Sequence, residues 1–118
     1  MLIKVMRAKI HRATVTAANL EYIGSITIDR ELMDAAGLFE GESVLVANLA
    51  NGTRHETYVI PGESGKGEIC VNGAAAWLVQ PSDRVIIMAH AYVTPQEASQ
   101  LKPKIVLVDD KNRPVRML

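Results

Sequence analysis

The chain has 118 residues, of which 48% are hydrophobic, and its 13 Lys and Arg side chains balance its 13 Asp and Glu side chains. This is the length of one domain with one core, so we expect residues 1–118 to form a single domain. A net charge of zero argues against a nucleic-acid binder, because such proteins neutralise phosphates with an excess of basic side chains. A single cysteine excludes a disulfide within the chain and favours a cytoplasmic protein.

The sequence also argues against a membrane anchor and a metal site. Lys4 and Arg7 interrupt the apolar N-terminus and no long apolar run follows, so neither a signal peptide nor a membrane segment is predicted. Cys70 lies between two apolar residues and is interpreted as a buried structural thiol. The histidines lack the spacing of metal ligands with each other or with Cys70. They are His11, His55 and His90.

In chain order, imperfect alternation of apolar and polar residues predicts a strand from Leu2 to Ile10, and the next six residues are again typical of a strand. Lys9, His11 and Arg12 bring three basic groups together. That cluster suits a solvated sheet edge as well as an anion pocket, and the residues alone do not decide between them.

The stretch from Tyr22 to Ile28 is typical of a strand that Gly24 and Ser25 interrupt. Because Gly24 has no Cβ, its peptide can adopt conformations that other residues resist. The Ser25 hydroxyl could then attack the Gly24 carbonyl carbon and convert the amide into an ester. Elimination followed by hydrolysis would leave a pyruvoyl group in place of the serine. A plain β-bulge is the alternative interpretation of the same pair.

The next elements are marked by caps and turns. Asp29 is a predicted N-cap, and Gly37 is expected to end the helix that follows it. A strand is predicted from Ser43 to Asn48, and Asn51-Gly52 then favours a type I′ hairpin turn.

The returning strand, from Thr53 to Ile60, carries several polar side chains. Alternation along a strand places Arg54 and Tyr58 on one face, and His55 and Thr57 on the other. A bulge or the strand twist would be needed for Thr57 and Tyr58 to serve one site.

The remaining sequence predicts short elements and a loose polar tail from Asp109. They are a strand from Glu68 to Val71, a short helix from Ala74 to Leu78, a strand from Arg84 to Ala91, a capping box at Thr94–Glu97 and a strand from Ile105 to Val108. Many short strands with a few short helices favour a small β-barrel with helical connections.

Five motifs occur in order: Lys9-Ile10-His11-Arg12-Ala13, Tyr22-Ile23-Gly24-Ser25, Asn51-Gly52, Thr57-Tyr58 and Asn72-Gly73-Ala74-Ala75-Ala76. Together they resemble the bacterial pyruvoyl-dependent aspartate 1-decarboxylases over nearly the whole chain, from Met1 to about Val108. The resemblance implies a six-stranded double-psi β-barrel with short connecting helices. It also implies a homotetramer that makes β-alanine and CO2 from L-aspartate for pantothenate synthesis.

The same resemblance implies self-cleavage between Gly24 and Ser25 into residues 1–24 and 25–118. Ser25 would become the covalent pyruvoyl cofactor, with no metal. Tyr58 is implied as the proton donor to the substrate carbanion. Thr57 would donate to the Gly24 carbonyl oxygen during cleavage and is counted with the substrate-binding residues.

Aspartate carries two carboxylates, and two cations are candidates to hold them. Arg54 can grip one carboxylate with two hydrogen bonds, and Lys9 offers a point charge, although the assignment of cation to carboxylate stays open. The implied substrate-binding turn consists of Asn72, Gly73, Ala74 and Ala75. The implied walls of the pocket are His11 and Tyr22.

Two alternatives accompany this hypothesis. Residues 26–44 also resemble the swapped-hairpin barrels of bacterial transcription factors, which implies a DNA-binding dimer. That interpretation leaves the Gly24-Ser25 motif unexplained, and the zero net charge opposes it. The other alternative is a pyruvoyl enzyme for a different amino acid, which the two candidate carboxylate binders disfavour. The sequence leaves open whether a maturation factor speeds cleavage.

Overall fold

The computed structural model describes residues 1–118 and consists mainly of β-strands. The strands are β1 (Ile3–Thr14), β2 (Ala17–Asn19), β3 (Ser25–Asp29), β4 (Ser43–Asn48), β5 (Arg54–Gly62), β6 (Ile69–Asn72), β7 (Arg84–Val93), β8 (Lys104–Val108) and β9 (Pro114–Met117). The helical elements are α1 (Arg30–Ala36), a 3₁₀ helix (Gly73–Leu78) and α2 (Pro95–Gln100). None of these helices has the length and apolar character needed to cross a membrane.

The nine strands form one sheet in the order β2-β6-β3-β5-β4-β7-β1-β8-β9. Its first and last strands do not pair with each other, so hydrogen bonding does not close the sheet. The mainly β prediction with short connecting helices is confirmed. Strand β3 lies between β5, which is parallel to it, and β6, which is antiparallel, and this placement positions the candidate site.

Alternation along β3 and β6 gives the pair one apolar and one polar face. Ile26 and Ile28 of β3 enter the hydrophobic core, as do Ile69 and Val71 of β6. Successive side chains of a strand point to opposite faces, so the residues between and beside these four share the other face. They are Ser25, Thr27, Cys70 and Asn72.

The predicted helix caps are confirmed. The Asp29 carboxylate accepts a hydrogen bond from the Glu31 amide at 2.8 Å, and Gly37 ends α1 with φ of +73°. The same carboxylate accepts from the amides of Gly65 and Gly67, at 3.1 and 2.6 Å. Asp29 thus ties the end of β3 to the loop that leads into β6.

The C-terminal tail is ordered, so its prediction as a loose segment is wrong. Strand β9 pairs antiparallel with β8 and becomes an edge of the sheet. Asp109 makes the turn that returns the chain, because its Oδ1 accepts hydrogen bonds from the amides of Lys111 and Arg113, both at 2.9 Å.

Two local predictions also need correction. Strand β3 begins at Ser25, and residues 20–24 form the turn before it, so Gly24 precedes the strand instead of interrupting it. The loop between β4 and β5 is not a type I′ turn, which needs positive φ at both central residues. Gly52 has φ of +74°, but Asn51 does not have positive φ. Its side chain instead accepts a hydrogen bond from the Thr53 amide at 2.9 Å.

Candidate active site

Ser25 is held between two polar groups at the start of β3. Its side chain is buried, with 1% of the residue exposed. The hydroxyl donates to the Ile23 carbonyl oxygen at 2.9 Å and accepts from Asn72 Nδ2 at 3.0 Å. The serine oxygen is therefore fixed from two sides, next to the peptide bond that joins Gly24 to Ser25.

Asn72 is the centre of a buried hydrogen-bond network. It pairs with Ser25 across the β3–β6 ladder and is 3% exposed. Its Nδ2 donates to Thr27 Oγ1 at 3.1 Å as well as to Ser25, and its Oδ1 accepts from the Cys70 thiol at 3.2 Å. The sequence analysis missed Thr27 and Cys70 as members of the site. Period-two spacing from Ser25 and from Asn72 is the signal that could have found them.

Gly73 is the glycine whose backbone conformation and lack of a side chain bear on the site. Its φ is +77°, and a Cβ built there would lie 2.6 Å from Gly24 Cα and 2.9 Å from Gly24 N. Gly24 itself does not have positive φ, and nothing lies within 4 Å of a Cβ added to it. The requirement for a residue without a side chain is therefore clear at Gly73, whereas the space around Gly24 does not impose it. Ala74 and Ala75 follow in the first turn of the 3₁₀ helix.

Thr57 and Tyr58 directly precede the first residue of β5 that pairs with β3, as Gly24 and Ser25 directly precede the first pairing residue of β3. Ile26 pairs with Val59 in the parallel β3–β5 ladder. Continuing this register backwards sets Tyr58 beside Ser25 and Thr57 beside Gly24. The β4–β5 pairing has no bulge here, so alternation leaves Thr57 half-buried on one face and Tyr58 exposed on the other. Neither hydroxyl makes a hydrogen bond within the chain.

The structure does not bring Lys9 and Arg54 together within one chain. Arg54 is exposed at the start of β5, on the same face as Tyr58. Lys9 of β1 pairs with Met88 of β7, which pairs with Leu45 of β4, the partner of Glu56 in β5. Three strand spacings, about 14 Å along the sheet, therefore separate Lys9 from the strand of Arg54.

His11 lies beside Lys9, and Tyr22 lies before the cleavage motif. His11 falls in an irregularity of β1 where Arg12 has φ of +63°. Burial, followed by the charges of Lys9 and Arg12, lowers the pKa of His11, and its Nδ1 is buried without a partner. Tyr22 is exposed in the turn that leads to Gly24. Of these two predicted pocket walls, Tyr22 is the one nearer to Ser25 in sequence.

The arrangement supports a reaction of the serine with its own chain. The buried Ser25 hydroxyl is held next to the Gly24 carbonyl, and the Asn72 amide donates a hydrogen bond to the Ser25 oxygen. The hydroxyls of Thr57 and Tyr58 belong to the residues of β5 that directly precede its pairing with β3. Within the structure, no group of three or more His, Cys, Asp or Glu side chains is arranged to hold a metal ion.

Comparison with known proteins gives one consistent result. Residues 1–115 match the sequence model of a family described as aspartate decarboxylase. An aspartate 1-decarboxylase of Caldicellulosiruptor bescii is 61% identical over 99% of this chain and 91% of its own length. Another from Caldicellulosiruptor saccharolyticus is 62% identical over the same shares of both chains. One from Bacillus cereus is 57% identical over 97% of this chain and 90% of its own. These matches give no support to the transcription-factor alternative. The chain belongs to the aspartate decarboxylase family.

Proposed function

We propose that this protein decarboxylates L-aspartate to β-alanine and CO2, supplies pantothenate synthesis, and uses a pyruvoyl group that it makes from Ser25. The observation that carries the proposal is the buried Ser25 oxygen. It lies between the Ile23 carbonyl and the Asn72 amide, next to the Gly24–Ser25 peptide, in a chain of this family.

Self-cleavage begins when Ser25 Oγ loses its proton and attacks the Gly24 carbonyl carbon. The C–N bond breaks, the nitrogen gains a proton, and an ester joins the two parts. Loss of the residue-25 Cα proton then expels the Gly24 carboxylate and leaves dehydroalanine, which takes up water and releases ammonia. The Asn72 N–H stabilises negative charge on Oγ, and the Thr57 hydroxyl supports the Gly24 carbonyl oxygen.

A pyruvoyl group fits at position 25. Gly73 has no side chain, so nothing from the 3₁₀ helix fills the space beside Gly24. That group supplies an electrophilic carbonyl that takes up the substrate amine and the electron pair left by departing CO2. Tyr58, beside position 25 in register, holds the proton that the substrate Cα receives. The small side chains of Ala74 and Ala75 let the substrate approach the backbone.

Substrate recognition rests on cations that no carboxylate of the chain neutralises. Neither Arg54 nor Lys9 belongs to an ion pair within the structure. The ion pairs it forms are Arg7–Glu42, Arg30–Asp34, Arg84–Asp110 and Arg113–Asp109. Arg54 can hold one aspartate carboxylate through two hydrogen bonds, and Lys9 offers a charge to the other.

The proposal includes a homotetramer. Lys9 and Arg54 lie three strands apart within one chain, and assembly with a second copy offers another way to bring the two cations to a single aspartate. Large apolar side chains also face solvent in the single chain, and such surfaces mark protein contacts. They are Ile23, Phe39, Trp77 and Tyr92.

We also propose that residues 1–118 form a six-stranded double-psi barrel domain, with the other strands as additions at its edges. The single core cluster, which draws residues from most strands, supports this architecture. A cytoplasmic location is proposed as well. The lone cysteine supports it, because no disulfide can form within the chain.

Intact mass and product formation test the function together. The purified chain, incubated alone, should yield residues 1–24 and a larger piece that is lighter than its serine-started equivalent by one ammonia. It should then convert aspartate to β-alanine. Ser25→Ala should stay whole and inactive, because it lacks the attacking oxygen. Cleavage only after addition of cell extract would indicate a maturation factor, and β-alanine formation by uncleaved Ser25→Ala would refute the cofactor assignment.

A further inference from the structure

We propose that Cys70 is a positioning residue for self-cleavage. Its thiol holds the Asn72 side-chain amide in the one orientation that donates a hydrogen bond to the Ser25 oxygen. The inference rests on the proposed function, because its effect is on the cleavage between Gly24 and Ser25. Cys70 itself touches neither the attacking oxygen nor the carbonyl under attack, so its action passes through Asn72.

The four side chains involved share one face of two paired strands. Ser25 pairs with Asn72 across the antiparallel ladder, and Thr27 pairs with Cys70. Because each residue lies two positions from its neighbour, all four side chains point the same way. The resulting chain of contacts runs from the Cys70 sulfur to Asn72 Oδ1 at 3.2 Å, and from Asn72 Nδ2 to Ser25 Oγ at 3.0 Å.

The direction of this chain follows from counting donors. The single hydroxyl proton of Ser25 is given to the Ile23 carbonyl, so Ser25 Oγ can only accept from Asn72. An amide turned by 180° would place Oδ1 against the lone pairs of Oγ and would point its N–H groups at sulfur, a weak acceptor. The thiol donor therefore selects the orientation that serves Ser25.

Asn72 Oδ1 has no other partner within the chain. Asn72 and Cys70 are 3% and 7% exposed, so water does not freely replace the thiol. Burial, followed by the charge of Glu68, raises the pKa of the Cys70 thiol, which keeps its proton available at neutral pH. Without that donor, the buried carbonyl oxygen would be unpaired, and rotation of the amide toward the Thr27 hydroxyl, which can donate, would take the N–H away from Ser25 Oγ.

Three substitutions separate hydrogen bonding from packing. Cys70→Ser keeps a hydrogen-bond donor but is smaller, and Cys70→Val fills similar space without a donor. Cys70→Ala lacks both the donor and the volume. Each full-length chain is purified cold and uncleaved, then warmed, and the first-order loss of the intact mass is followed. We expect the Cys70→Ser chain to cleave within about threefold of the wild-type rate, and the other two to be roughly tenfold slower.

Val71→Ala is the matched control for general destabilisation. Val71 lies between Cys70 and Asn72 in β6, but its side chain points to the core, on the opposite face of the strand from the Asn72 side chain. We expect it to lower the thermal midpoint while its cleavage rate stays near the wild-type value.

Three outcomes would overturn the inference. They are normal cleavage of Cys70→Val with slow cleavage of Cys70→Ser, equal rates in all Cys70 variants, and a Val71→Ala rate as low as that of Cys70→Ala. Each of these leaves the proposed function standing, since the wild-type chain still cleaves and makes β-alanine. A wild-type chain that stayed whole would instead refute the proposed function, and this inference with it.

Discussion

At the scale of single residues, Thr57 and Tyr58 present their side chains on opposite faces of β5. Tyr58 is 38% exposed, whereas Thr57 is half-buried on the side of the core. An outward phenol can meet a substrate that arrives from solvent. A half-buried hydroxyl on the inner face is better placed to meet a group of the chain itself, and the Gly24 carbonyl is the group that we propose for it. The geometry therefore favours separate roles for the two groups in turnover and in maturation.

Conservative variants should separate these roles. Tyr58→Phe should still cleave but should make β-alanine about 10²–10⁴-fold more slowly, because it lacks the proton donor. Thr57→Val keeps a similar volume without the hydroxyl and should stall cleavage. The cleaved fraction is measured by intact mass, and β-alanine release is measured on fully cleaved enzyme. Normal turnover by cleaved Tyr58→Phe would assign the proton to another group.

His55 gives the chain a pH-dependent stability. Burial lowers the pKa of His55 below 6.5, and its Nε2 is buried without a hydrogen-bond partner. As the pH falls below 6.5, the unfolded chain therefore takes up this proton before the folded chain does. The folded state keeps its full stability above that pH and loses part of it between 6.5 and the lower pKa of the folded chain.

We expect His55→Phe to flatten this pH dependence. The two proteins to compare are Ser25→Ala and the double variant Ser25→Ala/His55→Phe, both uncleaved. Their urea midpoints should be measured at about pH 8.0, 6.5 and 5.0, which bracket the ordinary pKa of histidine. The midpoint of the parent should fall more steeply on acidification. Parallel curves for the two proteins would show that His55 does not carry the effect.

Alternation along strands predicted which residues share a face, and the structure agrees for Arg54, His55, Thr57 and Tyr58. It could also have joined Cys70 to Asn72, but the apolar neighbours of Cys70 suggested an isolated core thiol. The separation of Lys9 from Arg54 was beyond sequence reasoning, because it depends on how many strands lie between β1 and β5. Periodicity describes one strand and says nothing of its place in a sheet.

At the scale of elements, the junction of β6 and the 3₁₀ helix lies directly against Gly24, beside the peptide at which we propose cleavage. Gly73→Ala would place a Cβ 2.6 Å from Gly24 Cα in a backbone conformation with φ of +77°, so the turn must move. We expect it to slow cleavage at least tenfold and to destabilise the chain by about 1–3 kcal/mol.

Gly24→Ala is the natural comparison, since nothing lies within 4 Å of its added Cβ and Gly24 does not have positive φ. It should affect stability less than Gly73→Ala does. Cleaved fractions by intact mass and urea unfolding of both proteins in a Ser25→Ala background make the comparison. A larger stability loss in Gly24→Ala would contradict the steric argument.

The elements predicted best are those with local signals. Asp29 caps the start of α1 and Gly37 caps its end, and the Thr94–Glu97 capping box begins α2. Caps can be predicted because they are contacts between residues close in sequence. Strand β9 was missed, because its formation depends on an open edge of β8 that only the assembled sheet provides. The start of β3 was misplaced for a related reason: apolar residues continue through Ile23, but ladder pairing with β6 begins at Ser25.

At the scale of the whole molecule, Asn112 connects distant parts of the chain. It is 1% exposed, and its Nδ2 donates to the carbonyls of Thr14 and Gly67, both at 2.8 Å. Its Oδ1 accepts from the Thr14 amide at 2.7 Å. The C-terminal turn is thereby fixed to the end of β1 and to the loop that Asp29 also anchors.

Asn112→Ala should cost about 3 kcal/mol of unfolding free energy, because it leaves buried backbone groups unpaired and removes a residue type that tolerates positive φ. Arg116→Ala, at an exposed position of β9, is the matched control and should change stability by less than about 0.5 kcal/mol. Urea unfolding of both in the uncleaved Ser25→Ala background gives the values. Equal losses of unfolding free energy in the two variants would show that the Asn112 hydrogen bonds contribute no more than an exposed side chain of β9.

The position of Ser25 at the first residue of β3 has a consequence for the life of the mature protein. A break before it cuts a turn and removes no strand pairing: β1 stays between β7 and β8, β2 stays on β6, and β3 stays between β5 and β6. Cleavage as proposed would thus turn one chain into a complex of two complementing fragments. Its folding would change from a unimolecular reaction into one that depends on concentration, so we expect a cleaved molecule that unfolds at high dilution not to regain its structure. The enzyme would then have a single opportunity to fold, before it becomes active.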